Sequence, residues 1–156
     1  MTNETPTFAD KVSGLHQCMF TTITPEGSLV SRPMGVQKVE GDAVYFLTDG
    51  QHDKTREIQN DAEVNLAFVE SSLWVSASGR AVILHDEALK DELWNAFADG
   101  FFPDGKEDPN VVVVKVTVSS AEYWEQANKL SYLLQIVKGA VTDSPADPGE
   151  SGKLSI

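Results

Sequence analysis

Residues 111–118 have the sequence Val-Val-Val-Val-Lys-Val-Thr-Val, which is the clearest β-strand signal in the chain. β-Branched side chains are restricted at χ1 and pack well on a pleated surface, so this run favours a strand over a helix. Outward from it, similar patterns predict further strands in both directions. The predicted strands cover residues 18–24, 29–37, 43–48, 64–68, 73–85 and, after a bend, 119–126.

The connections between these predicted strands are short. Pro25 and Gly27 indicate a tight turn, and Gly41 lies in the next one. Gly79, in the middle of the 73–85 strand, predicts a β-bulge at which the sheet bends. Because no long helix alternates with the strands, the pattern favours a mainly β, antiparallel barrel over a parallel α/β sheet. Peripheral helices are predicted at the breaks, over residues 7–17, 54–60, 86–98 and 129–141.

The 156 residues correspond to one domain of ordinary size. We predict a single domain over residues 1–142. The last residues are rich in Asp, Pro, Gly and Ser, which predicts a flexible C-terminal tail over residues 143–156.

The chain is strongly acidic, with 24 Asp and Glu against 12 Lys and Arg and a net charge of -12. Such a surface repels nucleic acids and anionic membranes, so neither is predicted as a partner. No apolar run reaches membrane-span length, and the only cysteine, Cys18, forms no internal disulfide. We therefore expect a cytoplasmic protein. Three scattered histidines and one cysteine predict no metal site.

One segment that could carry chemistry is Ser31-Arg32-Pro33-Met34, inside the second predicted strand. Arg32 is a basic group on an otherwise apolar strand. Pro33 cannot donate a ladder hydrogen bond, so this strand must be an edge or be broken there. A broken edge exposes backbone groups that could hold the polar rim of a flat heterocycle. The alternative is an exposed arginine that protects a sheet edge from aggregation.

A second candidate segment is Phe46-Leu47-Thr48 with the following loop, His52-Asp53-Lys54. A strand end, a short loop and a helix start bring backbone amides and the helix dipole to one point. Lys54 and His52 would add a cation and a hydrogen-bond donor, which together suit a phosphate. The alternative is an ordinary turn in which Asp53 caps the helix.

Taken in order, these residues resemble a known family. The series continues beyond the two segments with Trp94, Phe102-Pro103, Gly105, Asp108-Pro109 and Tyr123-Trp124. It is similar to the general stress protein branch of the pyridoxamine-phosphate-oxidase-like flavoproteins. The resemblance covers residues 8–141 and implies an antiparallel, Greek-key-like split β-barrel. It also implies a homodimer with two FMN sites at the subunit interface.

The resemblance also implies roles for individual residues. Arg32 would contact the ribityl–phosphate region of FMN, and Lys54 would be the main cation of the phosphate loop. Thr48 would be the side-chain donor at the edge of the isoalloxazine ring. The other expected FMN contacts are the backbone of Pro33 and Met34, the side chains of Phe46, Leu47, His52 and Asp53, and Trp124 from the partner subunit.

Two departures from the family pattern limit what the resemblance implies about activity. Gln37 stands where true pyridoxamine-phosphate oxidases have a basic residue, and residues 125–128 lack their Arg/His pair. Vitamin B6 oxidase activity is therefore not expected. The expectation is an FMN-dependent oxidoreductase of unknown substrate. The alternatives are a non-catalytic flavin reservoir or sensor, a site for FAD, haem or a deazaflavin, and a partner-binding domain with a vestigial site.

Dimerisation is expected from the residues as well. Tyr123, Trp124 and the strand over residues 111–118 supply more large apolar surface than one small barrel needs. The alternative is that these side chains pack in the core of a single subunit.

Overall fold

The computed structural model describes residues 4–127, 129–142, 145 and 149–156 of the chain. The described part is mainly antiparallel sheet with short helices around it. The strands are β1 (Gln17–Ile23), β2 (Leu29–Gly35), β3 (Lys38–Glu40), β4 (Ala43–Asp49), β5 (Glu63–Glu70), β6 (Leu73–Leu84), β7 (Val111–Glu125) and β8 (Glu150–Lys153). The helices are α1 (Phe8–Val12), α2 (Asp53–Asn60), α3 (Glu87–Leu93), α4 (Ala96–Phe101) and α5 (Lys129–Val141).

The strands form one sheet in the order β2-β1-β5-β6-β7-β4-β3, and β8 pairs with β7. All strand pairs are antiparallel. The long β7 strand is the centre of this arrangement, because its first half pairs with β4 and its last residues pair with β8. β2 and β3 end the path, although only residues 36–37 separate them in the chain. The opening between these two edge strands is the split of the barrel, so the predicted mainly β, split-barrel fold class is confirmed.

The bulge predicted at Gly79 is present. The pairing of β6 with β7 shifts register between Ser78 and Gly79. A Cβ on Gly79 would lie 2.2 Å from the Thr117 carbonyl oxygen, so only glycine fits the closely approaching backbone.

Two apolar clusters stabilise the fold. The larger one fills the barrel interior and contains Phe8, Phe20, Phe46 and Phe68, none of which exposes more than 1% of its surface. The smaller one lies on the other face of β4 and β7, beneath α3 and α4. It contains Leu47, Leu93, Ala98, Val111 and Val113. β4 is therefore covered on both faces, as its continuous apolar sequence predicts.

The helix predicted over 86–98 is wrong as one element, because it breaks after Leu93. Asp86 caps α3, as the sequence indicates, by accepting from the Leu89 amide at 3.0 Å. Asn95 then caps a second helix by accepting from the Ala98 amide at 3.0 Å. A side chain that satisfies the free amides of a helix start favours a new helix over continuation of the old one.

Part of the segment over 143–156 that the sequence predicts as a flexible tail forms strand β8 in the structure. β8 pairs with residues 122–125 of β7, Leu154 is only 7% exposed, and the Phe8 amide donates to the Ser155 carbonyl at 2.8 Å. One buried leucine and an edge strand are enough to fix a segment of polar composition. Residues 143–144 and 146–148 of that prediction lie outside the described residues.

The C-terminal helix α5 is present as predicted, and its apolar side chains are not covered. The described ones are 46–80% exposed: Leu130, Leu133, Leu134, Ile136, Val137 and Val141. Across the described ranges, no helix has the length and apolarity that a membrane crossing requires.

Candidate functional site

A cavity of about 300 Å³ lies in the split of the barrel, between β2 and the end of β4. This volume is at the lower end of the range that is typical of small-molecule sites. Helix α4 and the residue after it form its outer wall. The residues that line it are Gln17, Pro33, Met34, Gly35, Gln37, Leu47, Thr48, Asp49, Lys54, Phe97, Phe101 and Phe102.

Lys54 supplies the positive charge of the cavity. Its side chain is buried, with 6% of the residue exposed, and its ammonium group has no hydrogen-bond or salt-bridge partner among the described residues. Burial lowers the pKa of the Lys54 ammonium from its ordinary value, and the nearby Arg32 guanidinium lowers it further. The carboxylates of Asp49 and Glu57 act in the opposite direction. A buried cation without a direct salt-bridge partner favours an anionic ligand.

Hydrogen bonds from the loop before Lys54 satisfy backbone amides at the start of α2. His52 caps α2, and its Nδ1 accepts from the Lys54 amide at 3.2 Å, while its carbonyl oxygen accepts from the Thr55 amide at 3.0 Å. The capping residue is therefore His52 rather than Asp53. The Asp53 side chain is 81% exposed and lies 3.9 Å from Arg56. This leaves the Lys54 side chain, rather than the helix amides, as the group that the loop offers to a ligand.

Arg32 is held inside the protein by three acceptors. Its guanidinium donates to Thr22 Oγ1 at 2.7 Å, to the Phe20 carbonyl at 3.3 Å and to Glu57 Oε2 at 3.2 Å. The Thr22 hydroxyl donates to the same Glu57 oxygen. The Arg32 and Glu57 side chains are only 16% and 12% exposed. Glu57 therefore already compensates the charge of Arg32, in contrast to Lys54.

Two further polar groups in the cavity have no partner among the residues that the structure describes. Gln37 Oε1 is the one buried side-chain oxygen or nitrogen in the described part of the chain without a hydrogen bond. The Thr48 hydroxyl also makes no hydrogen bond within the described ranges, although the residue is 3% exposed. Buried polar atoms are normally paired, so an orphan acceptor in a cavity indicates a missing donor. A ligand with N–H or O–H groups would supply it.

Aromatic side chains form the mouth of the cavity. Phe97 and Phe101 lie one helical turn apart on α4, their ring centroids are 4.7 Å apart, and they are 53% and 67% exposed. Gly35 lets Phe97 approach β2, because a Cβ there would lie 2.7 Å from the Phe97 ring. The wall opposite the strands is therefore an aromatic, apolar surface that faces both the cavity and solvent.

Comparison with known proteins assigns the chain to a family. The family model described as "Pyridoxamine 5'-phosphate oxidase like" matches residues 3–147. The chain belongs to this family. It is 28% identical over 150 residues to the protein bli-3 of Neurospora crassa, a match that covers 88% of this chain and 72% of bli-3.

Solved structures of similar proteins agree with this assignment. One, from Jannaschia sp. CCS1 and named as a general stress protein 26, is 25% identical with a TM-score of 0.72 and covers 96% of both chains. Another is a pyridoxamine 5'-phosphate oxidase-related, FMN-binding protein from Nostoc punctiforme. It is 16% identical with a TM-score of 0.58, and the match covers 75% of this chain and 79% of that one. At this identity the likeness concerns the fold alone.

Five of the residues predicted to contact a flavin in this pyridoxamine 5'-phosphate oxidase-like chain lie together. Pro33, Met34, Leu47, Thr48 and Lys54 all line the cavity. They come from β2, β4 and the first turn of α2, which the sheet topology brings to one place. Whether they hold a cofactor stays a prediction.

The other predicted contacts do not line the cavity. Phe46 lies in the barrel interior, where its ring packs edge-on against Phe20 at 5.2 Å, because it faces the opposite side of β4 from Leu47. Trp124 is 41% exposed in a separate groove beside β8. Arg32, His52 and Asp53 are also absent from the lining.

Sequence reasoning missed several cavity residues of this family member. Phe97 and Phe101 carry a usable signal, since two phenylalanines four residues apart on a short helix form one apolar face. Gln37 was noted only as a departure from the family pattern. Gln17, Gly35 and Asp49 carry no local signal, because only the closure of the barrel brings them to the cavity.

Proposed function

We propose that this protein binds FMN in the cavity of the split and acts as a flavin-dependent oxidoreductase. The observation that carries the proposal is the buried Lys54 ammonium, which has no salt-bridge or hydrogen-bond partner among the described residues. A buried ammonium without such a partner is costly to desolvate unless a ligand compensates it. The phosphate of FMN has the charge and the acceptor oxygens to do so.

Other residues of the cavity also fit a flavin. Met34 and Leu47 offer apolar surface to a flat ring, and Thr48 offers a hydrogen bond to its polar rim. A single uncompensated cation favours one phosphate over the diphosphate of FAD. When bound, the flavin supplies the redox chemistry, and the protein supplies orientation and electrostatics. The FMN-binding relative in the same family supports this choice of cofactor.

The proposal includes a homodimer. Trp124 and the described apolar side chains of α5 expose a large part of their surface. Large apolar side chains exposed in this way often mark a contact with another protein subunit. In a dimer, Trp124 would come to the flavin from the partner subunit. This would also explain why it does not line the cavity of its own chain.

Replacement of Lys54 by methionine tests the flavin site. A charge-assisted hydrogen bond contributes about 1.5–3 kcal/mol, so we expect FMN to bind Lys54→Met about tenfold to a hundredfold more weakly. The control is Arg80→Met, which changes the net charge equally at an exposed position of β6, outside the cavity. FMN titration of the apoprotein, followed by flavin fluorescence, measures both. Equal affinities for wild type and Lys54→Met would contradict the proposed phosphate position.

The oxidoreductase and dimer parts have their own measurements. Anaerobic addition of NADH or NADPH to the FMN-loaded protein should bleach the flavin absorbance, and oxygen should restore it. A bound flavin that neither donor reduces would favour the reservoir or sensor function. Analytical ultracentrifugation should give a dimer, and an FMN-loaded monomer at micromolar concentration would contradict an interface site.

A further inference from the structure

The cavity has two ends of different chemistry. Lys54, Thr48 and Asp49 lie at one end. Gln37 lies at the other end. Its backbone N–H donates to the Tyr45 carbonyl at 2.9 Å, and Tyr45 precedes Thr48 by three residues on β4. At the rise of an antiparallel strand, three residues span roughly 10 Å. A phosphate at Lys54 and a group at Gln37 are therefore separate recognition points.

The Gln37 end is uncharged and aromatic. Its polar contribution is the Gln37 carboxamide, whose oxygen has no donor in the described part of the chain. The surface beside it consists of Phe97 and Phe101, and both rings reach solvent. A carboxylate or phosphate here would meet a neutral carboxamide instead of a cation. An N–H or O–H group on an uncharged ring would satisfy the oxygen and lie on the aromatic wall.

The position of the aromatic wall argues for an exchangeable ligand rather than for the cofactor. Phe97 and Phe101 belong to a six-residue helix that closes only the outer side of the cavity. Both rings expose more than half of their surface, so a ligand that lies on them is open to exchange with solvent. The geometry points to a second-ligand subsite formed by Gln37, Phe97 and Phe101. It selects flat, uncharged ring compounds that carry an N–H or O–H donor, and it disfavours anionic ones. This inference rests on the proposed function, because it takes the Lys54 end to be the flavin end.

Three naphthalenes that differ in one substituent test the subsite. 2-Naphthol is a neutral donor, 2-methoxynaphthalene is neutral without a donor, and 2-naphthoate is an anion. Isothermal titration calorimetry with the FMN-loaded protein should give binding of 2-naphthol about threefold to tenfold tighter than of 2-methoxynaphthalene, the range of one hydrogen bond. 2-Naphthoate should bind about tenfold more weakly than 2-naphthol. No preference among the three in the wild-type protein overturns the inference.

Variants assign the preference to named residues. Gln37→Met keeps the length of the side chain and removes the acceptor, so 2-naphthol should lose its advantage over 2-methoxynaphthalene. Phe97→Ala should weaken both compounds by a similar factor, because it removes ring contact and not the hydrogen bond. Gln59→Met, the same substitution on the exposed side of α2, should change nothing. A preference that survives in Gln37→Met overturns the assignment.

The same experiment separates this inference from the proposed function. FMN affinity is measured first, and Gln37→Met should leave it within about twofold of wild type. A loss of FMN affinity as large as the loss of naphthol selectivity would mean that Gln37 serves the flavin, which overturns the second-ligand subsite and leaves flavin binding intact. If FMN does not bind at all, the proposed function fails, and the naphthalene series on the FMN-free protein still decides the chemistry of the Gln37 end.

Discussion

Replacement of Arg32 by methionine separates two roles for this arginine, one in the fold and one in anion binding. In the structure its guanidinium lies 3.2 Å from Glu57 Oε2, and both side chains are mostly buried. Removing one partner of a buried ion pair costs about 3–5 kcal/mol, because the other charge is left uncompensated. The two side chains keep 16% and 12% exposure, so we expect the lower end of that range, about 3 kcal/mol.

Urea unfolding followed by tryptophan fluorescence measures this cost. With a denaturant slope of about 2 kcal/mol/M, the midpoint of Arg32→Met should fall by about 1.5 M. The double variant Arg32→Met, Glu57→Gln should recover at least about 1 kcal/mol, because it no longer buries an unpaired carboxylate. FMN affinity should fall less in Arg32→Met than in Lys54→Met, since Glu57 already engages Arg32.

Additive costs in the Arg32–Glu57 cycle, within about 0.5 kcal/mol, would refute the reasoning, because they would show that the two residues do not depend on each other. A stable Arg32→Met protein that has lost FMN affinity would refute it in a second way. Arg32 would then bind the phosphate directly, as the family resemblance implies.

Three further predictions concern charge, backbone and edge packing. Because the folded state lowers the pKa of Lys54, the unfolded chain holds more protons at this residue between that lowered pKa and 10.5, so Lys54 contributes stability to the apoprotein as pH rises through this window. The raised pKa of Cys18 acts in the opposite direction, so the measurement is a difference: across several alkaline pH values, the urea midpoint of the wild type should rise relative to that of Lys54→Met. Gly79→Ala should destabilise the protein by more than about 2 kcal/mol, because the added Cβ would clash with the Thr117 carbonyl. The control Gly14→Ala, whose Cβ would have no atom within 4 Å, should change the urea midpoint little. Equal effects of the two substitutions would contradict the bulge geometry. Leu154→Ala should cost about 2–3 kcal/mol in the same unfolding assay, and a neutral result would mean that β8 adds no stability to the sheet.

Features that depend on local sequence could be predicted. Val64, Leu66 and Phe68 alternate in the sequence and are buried in β5, as a half-buried strand requires. Asp86 begins a helix, and Cys18 is a buried thiol whose pKa burial raises to about 12. Each of these outcomes follows from the residue and its nearest neighbours in the chain.

Features that depend on distant partners could not be predicted. Arg32 is separated by 25 residues from the carboxylate that holds it, and nothing in either segment indicates the pair. The apolar stripe that continues through Trp94 and Phe97 suggests an unbroken helix, although Asn95 starts a new one. Strand β8 forms because it pairs with the edge of β7. Its own polar sequence gives no reason to expect a strand.

The return of the chain to β7 has a consequence for how this protein can vary. Glu125 and Glu150 are paired neighbours, so everything between them, including α5, is an excursion that begins and ends at one place on the sheet. Doubling the length of such a loop changes its closure entropy by only about 0.6 kcal/mol. Insertions into this excursion that leave the apolar side chains of α5 in place should therefore cost the fold little closure entropy.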